Sequence, residues 1–171
     1  KKSKPKLKII FDFDHTLFSA KKLYQAFENG FKKIGIEKKL FKETFEESKG
    51  KGRDYKPSRQ FKLILKKRLE IRGPRSRRTR RVGCNLQKLE KNFEKILGKS
   101  NKFLYPDVIA FLKRVENKFN LILLSYGEDK FQRKKIEKSK TTSFFKKIFI
   151  THDINKVSTL NKFLKDSEKA I

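Results

Sequence analysis

Two aspartates and a threonine, closely spaced behind an apolar run, are the residues of this 171-residue chain whose types and spacing point most directly to chemistry. Ile9-Ile10-Phe11 leads into Asp12-Phe13-Asp14-His15-Thr16-Leu17. A near-continuous apolar run is the signature of a buried parallel strand. A carboxylate at its end is costly unless a cation or hydrogen bonds compensate it. Along a strand, Phe11 and Phe13 fall on one face and Asp12 and Asp14 on the other. With the strand ending at Asp12, a turn can bring both carboxylates to one crevice. Open α/β sheets bind ligands just beyond the carboxyl ends of their strands. A pair of acids there suits Mg²⁺ and phosphoryl chemistry, one acid acting as nucleophile and the other as proton carrier.

The elements that must position these acids can be read from the hydrophobic pattern. The first strand is expected over about residues 7–11. Ser19 can cap a helix whose Leu23, Ala26, Phe27, Phe31 and Ile34 recur at helical spacing and which Gly35 is placed to end. A short helix follows near residues 38–48, then a loop over 48–54. Pro57-Ser58 opens a helix carrying Phe61, Leu63, Ile64, Leu65 and Leu69, and another covers 86–97 up to Gly98. From Phe103 the pattern changes. Pro106 opens a helix, Leu121–Leu124 forms an apolar strand ending in Ser125, residues 130–138 read as helix, and Ile148–Thr151 as a third strand. Val157, Leu160 and Leu164 mark a further helix, and Lys169-Ala170-Ile171 reads as the opening of a fourth strand. An isolated first strand, four helices, then strands alternating with helices predict an α/β fold. Its parallel sheet would receive a helical insertion after strand one.

Composition sets the outer limits. Lys and Arg number 47 against 19 Asp and Glu, a net charge of +28, while 36% of residues are apolar. The 17 phenylalanines supply the bulk such a charged chain needs for a core. The single cysteine, Cys84, excludes an intrachain disulfide and a cysteine metal cluster, which fits a reducing cytoplasm. No apolar run approaches the ~20 residues of a membrane span, and the lysine-rich start has no apolar segment of signal-peptide type behind it. Six arginines between Arg72 and Arg81 could grip phosphates of nucleic acid or of an acidic partner. No aromatic residue interleaves them to stack bases, so a solvated loop is the favoured reading. His152 is read as a loop or strand-end residue without a metal role, and His15 as a residue that orients the turn, with proton transfer as its alternative role.

The pattern Asp12, Asp14, Thr16 after an apolar strand resembles motif I, D-x-D-x-T, of the haloacid dehalogenase-like (HAD) phosphohydrolases. The middle position is often glycine in that family; here it is His15. Leu121–Leu124 followed by Ser125, Tyr126 and Gly127 resembles the second motif, and Lys156 at the start of a helix resembles the third. The resemblance implies a Rossmann-like core of residues 1–18 and 104–171, with a helical cap over 19–103. It implies a Mg²⁺-dependent phosphatase that forms an aspartyl-phosphate at Asp12, with Asp14 protonating the leaving group and then activating water. Ser125 and Lys156 would hold the phosphoryl group together with Thr16, Tyr126 and Gly127. The Asp12 carboxylate and the Asp14 main-chain carbonyl would hold Mg²⁺, and a phosphorylated small molecule would be the substrate. The family's fourth motif, an acidic pair ending a fourth strand, is expected a few residues beyond Ile171. Without it, Mg²⁺ should be held weakly. Asp153, Glu128 and Asp129 are the other acids to consider near the site, though no spacing marks any of them as a replacement. The alternative is a catalytically incomplete HAD fold that binds nucleic acid or another polyanion through its basic surface.

Overall fold

The computed structural model describes residues 6–50, 54–72 and 85–161. In chain order its elements are β1 Lys8–Phe11, α1 Ala20–Lys33, α2 Lys38–Ser48, α3 Pro57–Arg72, α4 Leu86–Leu97, α5 Val108–Val115, β2 Asn120–Tyr126, α6 Asp129–Lys138 and β3 Lys147–Thr151. They form two compact units. One comprises the chain up to Ala20 and from Ser100 onward, the other Lys21–Lys99.

The first unit is built on a parallel sheet of order β1-β2-β3. Phe11 pairs with Leu123, Leu123 with Ile148 and Tyr126 with Thr151, so all three strands point their carboxyl ends the same way. The middle strand, β2, buries Leu121, Ile122, Leu123, Leu124 and Ser125 in succession. That unbroken burial is why its sequence is a continuous apolar run rather than an alternating one. This is the α/β arrangement that the sequence predicts. Residues 157–161 begin the helix expected after β3. Leu164, the strand expected from Lys169, the arginine-rich stretch beyond Arg72 and Cys84 lie outside the described residues.

Two local expectations change. β1 ends at Phe11 as expected, but Phe13 lies beyond it in the turn, so Phe11 and Phe13 do not share a sheet face. The Phe11 ring stands edge-on to Phe111 and Phe145, each at 6.1 Å, whereas Phe13 stacks on Phe18 at 5.0 Å. The second change concerns α5, which starts at Val108 rather than Pro106. The Tyr105 carbonyl first accepts from Val108 N–H at 3.2 Å, closing a turn before the helix begins.

The chain leaves and re-enters this unit at one place. Phe18 bridges Leu104 in antiparallel fashion, Ser19 N–H donates to Phe103 O at 2.8 Å, and Tyr105 N–H donates to Leu17 O at 3.1 Å.

The second unit is helical. α1 buries Leu23, Phe27 and Phe31, and α4 buries Leu89, Phe93 and Leu97, each a stripe of period four on one helix face. Phe27 stacks on Phe93 at 4.6 Å, and Phe31 meets Phe41 at 5.3 Å and Phe61 at 6.0 Å, so packed aromatic rings run through this core. Gly35, at φ +83°, ends α1: its N–H reaches Lys32 O and Ile36 N–H reaches Phe31 O, both at 3.0 Å. That pairing satisfies the last carbonyls and requires the left-handed residue that glycine supplies. Asn85 starts α4 by accepting from Lys88 N–H at 2.9 Å. Among the described residues no helix is long and apolar enough to cross a membrane.

Phe31 is fully buried between α2 and α3 partners. Phe31→Ala should therefore lower the unfolding free energy by about 3–5 kcal/mol. Urea denaturation checks this, and a loss below about 1 kcal/mol would show that the helical core collapses around the gap.

Candidate active site

Beyond Phe11 the chain leaves the sheet and turns tightly. Leu17 N–H and Phe18 N–H both donate to Phe13 O, at 2.9 and 3.0 Å, and His15 N–H donates to Phe18 O at 2.8 Å. His15 sits at φ +63°, a backbone region that favours glycine and that histidine enters at some strain. The turn presents the Asp12 side chain, 44% exposed, at the carboxyl end of β1. Asp12 Oδ1 accepts from Phe13 N–H at 2.7 Å and from Lys156 Nζ at 2.5 Å. None of these backbone bonds of the turn uses the Asp14 carbonyl.

Asp14 has a different cation. Lys135 Nζ lies 2.7 Å from both Asp14 carboxylate oxygens, and its side chain is only 3% exposed. The ammonium also lies 5.3–5.5 Å from the ring centroids of Phe13, Phe18 and Phe131, within cation–π reach. Burial pushes Lys135 below the ordinary lysine range, and the carboxylates of Asp14 and then Asp12 work against that shift. One ammonium thus feels both acids, which places them in one electrostatic neighbourhood.

Gln132 links Asp14 to the end of β2. Its Nε2 donates to Tyr126 O at 2.6 Å and to Asp14 Oδ2 at 3.2 Å. Gly127 follows at φ +139°, its N–H on Thr151 O at 3.0 Å. A Cβ at Gly127 would sit 2.5 Å from Gln132 Nε2, so this position needs glycine for both conformation and space. Ser125 is fully buried on β2, and its Oγ has no hydrogen-bond partner among the described residues. A buried hydroxyl with unused capacity is a donor available to an incoming oxygen. Thr16 is exposed in the turn, and among the described residues no hydrogen bond ties it to the other candidates.

Lys156 reaches Asp12 from the loop after β3 with its own backbone at φ +56°. Asp153 organises that loop. Its carboxylate accepts from Asn155 N–H at 2.9 Å and from Ser158 N–H and Oγ at 3.3 and 3.0 Å, and its carbonyl accepts Lys156 N–H at 3.0 Å. The hydrogen bond from Asn155, with those from Ser158, holds the Asp153 carboxyl below the usual range. Glu128 caps α6 through Phe131 N–H at 2.7 Å, and Asp129 pairs with Arg133 at 2.9 Å. All three acids are therefore engaged locally. Among the described residues no group of three His, Cys, Asp or Glu side chains gathers to hold a metal. Mg²⁺ keeps several waters and takes one or two carboxylates. The Asp12 carboxylate and the Asp14 carbonyl would meet that minimum, with the Lys156 ammonium already on Asp12 Oδ1.

The structure therefore brings Asp12 to Lys156 and Asp14 to the Tyr126–Gly127 corner. Lys135 and Gln132 are the members that sequence reasoning passed over. In a chain with this many lysines, nothing in its type singles out Lys135. The available signal was the inward stripe Phe131, Gln132, Lys135, Ile136, where a lysine occupies a core-facing helix position.

The profile of haloacid dehalogenase-like hydrolases matches residues 9–169. The chain belongs to this family, and so is a HAD-like hydrolase. Its fold is shared with a HAD-like hydrolase from Xanthomonas campestris (TM-score 0.60, 17% identity, 97% of this chain and 71% of that one). A haloacid dehalogenase-like hydrolase from Burkholderia xenovorans LB400 superposes similarly (TM-score 0.61, 18% identity, 95% and 68%). A dehalogenase solved as an intermediate complex gives a TM-score of 0.53 at 12% identity over 96% of this chain and 72% of its own. No match was found among curated proteins.

Gly127→Ala tests the corner that holds Gln132. Positive φ and the clash together should lower stability by about 2 kcal/mol, read as a shift in the urea midpoint. An unchanged midpoint would mean that Gln132 moves aside freely.

Proposed function

We propose that this hydrolase cleaves phosphomonoesters of small molecules, with Mg²⁺ as cofactor, through an aspartyl-phosphate at Asp12. The observation that carries this reading is the contact of Lys156 Nζ with Asp12 Oδ1 at 2.5 Å. It fixes a carboxylate at the end of β1 and leaves Asp12 Oδ2 to attack phosphorus. Attack forms the Asp12–phosphorus bond and breaks the ester bond, and Asp14 gives its proton to the departing oxygen. Asp14 then accepts a proton from the water that releases phosphate. Ser125 Oγ supplies a buried donor for a phosphoryl oxygen, and Lys156 offsets negative charge at the nucleophile. The backbone of Thr16, Tyr126 and Gly127 lines the substrate side. Mg²⁺, held by the Asp12 carboxylate and the Asp14 carbonyl, would offset the charge of the phosphoryl oxygens. The helical unit Lys21–Lys99 selects the substrate in this reading, and the setting is the cytoplasm.

Asp12→Asn should reduce Mg²⁺-dependent phosphate release from a generic phosphomonoester by on the order of 10⁴-fold. The amide cannot attack phosphorus. Near-normal turnover by the variant would sink the assignment. A second reading rests on the net charge of +28: a HAD fold that binds nucleic acid or another polyanion. It is favoured if the wild type releases no phosphate yet binds a DNA duplex with steep salt dependence.

A further inference from the structure

A lysine ammonium sealed from water and set on both oxygens of a neighbouring carboxylate does more than neutralise it. It fixes where that carboxylate points. Lys135 Nζ is 2.7 Å from Asp14 Oδ1 and Oδ2, and Gln132 Nε2 adds a third donor at 3.2 Å to Oδ2. Both donors project from α6, one turn apart, and both residues are themselves buried. Gln132 is anchored in turn by Tyr126 O at 2.6 Å, and Lys135 is walled by Phe13, Phe18 and Phe131. Phe13 directly precedes Asp14 in the chain, so the same turn that carries the acid also roofs its cation. A lone surface lysine loses rotamer freedom to make such a contact; here packing has already removed that freedom.

We propose that Lys135, seated by Gln132, is a positioning residue that holds the Asp14 carboxylate for the water-activating half of the reaction. This rests on the reading of Asp12 and Asp14 given above. At that step Asp14 has already surrendered its proton, so a carboxylate faces the ammonium. Water oxygen attacks phosphorus while its proton passes to Asp14. The Asp12–phosphorus bond breaks, its electron pair returns to the Asp12 carboxylate, and inorganic phosphate leaves. Formation of the aspartyl-phosphate from a substrate with an acidic leaving group needs no proton from Asp14. Such a substrate isolates the second step from the first.

The test uses 4-nitrophenyl phosphate with Mg²⁺, following nitrophenolate release by the wild type and by Lys135→Met. The variant should show a burst close to one nitrophenolate per enzyme. Its kcat and KM should fall together by about 30-fold, leaving kcat/KM within about threefold of the wild type. Gln132→Met keeps the lysine and loses the amide contact. It should shift kcat and KM in the same coupled way to a smaller extent, and it carries the test if Lys135→Met does not fold. A fall in kcat/KM without a burst, or unchanged kcat and KM in the folded variants, would overturn the positioning role and leave the phosphatase reading standing. A wild type that releases no nitrophenolate would overturn that reading first, and this inference with it.

Discussion

An ammonium removed from water demands an anion, and the geometry around Asp12 and Asp14 follows from how Lys135 meets that demand. The Lys135 side chain is 3% exposed, while its partner Asp14 keeps 23% exposure. The lysine is thus the more committed member of the pair. Removing either charge would leave the other uncompensated, at a cost on the order of 3 kcal/mol. The turn from Phe13 to Phe18 must therefore hold Asp14 over α6, and its rings pack where they exclude water from the ammonium. Gln132, one turn earlier on α6, leaves room for nothing but glycine at 127. The charge and the backbone of the corner are one constraint.

Asp12 belongs to a looser regime. Its partner Lys156 comes from a loop held by hydrogen bonds to Asp153 and Thr151, and the Asp12 carboxylate remains substantially open to water. Of the two acids, the one read as nucleophile is thus the accessible one, and the one read as proton carrier is fixed from beneath. A carboxylate that must meet substrate cannot also be enclosed, whereas one that must keep its aim gains from enclosure.

Legibility in the sequence tracked the range of the forces involved. α2, α3 and α4 have the bounds that Pro57, Gly98 and the spacing of their phenylalanines announce, because caps and periodicity act within a few residues. The parallel sheet followed from the alternation of strand and helix after Phe103, and the helix start after β3 singled out Lys156, which the structure sets against Asp12. Lys135 was hidden for the opposite reason. Its partner lies far away in sequence, its type is the commonest charge in the chain, and its buried face shows only once α6 is placed. The end of β1 at Phe11 was readable, but the turn beyond it was not. That turn depends on Leu17 N–H and Phe18 N–H both donating to the Phe13 carbonyl, which no local pattern encodes.

The short antiparallel clasp in which Phe18 bridges Leu104, with Ser19 bonded to Phe103, has an evolutionary consequence. Because the intervening segment starts and finishes at a single point, its contour length is decoupled from the placement of Asp12 and Ser125. Lengthening a loop closed at its ends adds only about 0.6 kcal/mol of entropy per doubling. Residues between the two sides of the clasp can therefore be gained, lost or exchanged while the sheet keeps its register. Selection can remodel that segment without disturbing the turn that holds Asp12 and Asp14.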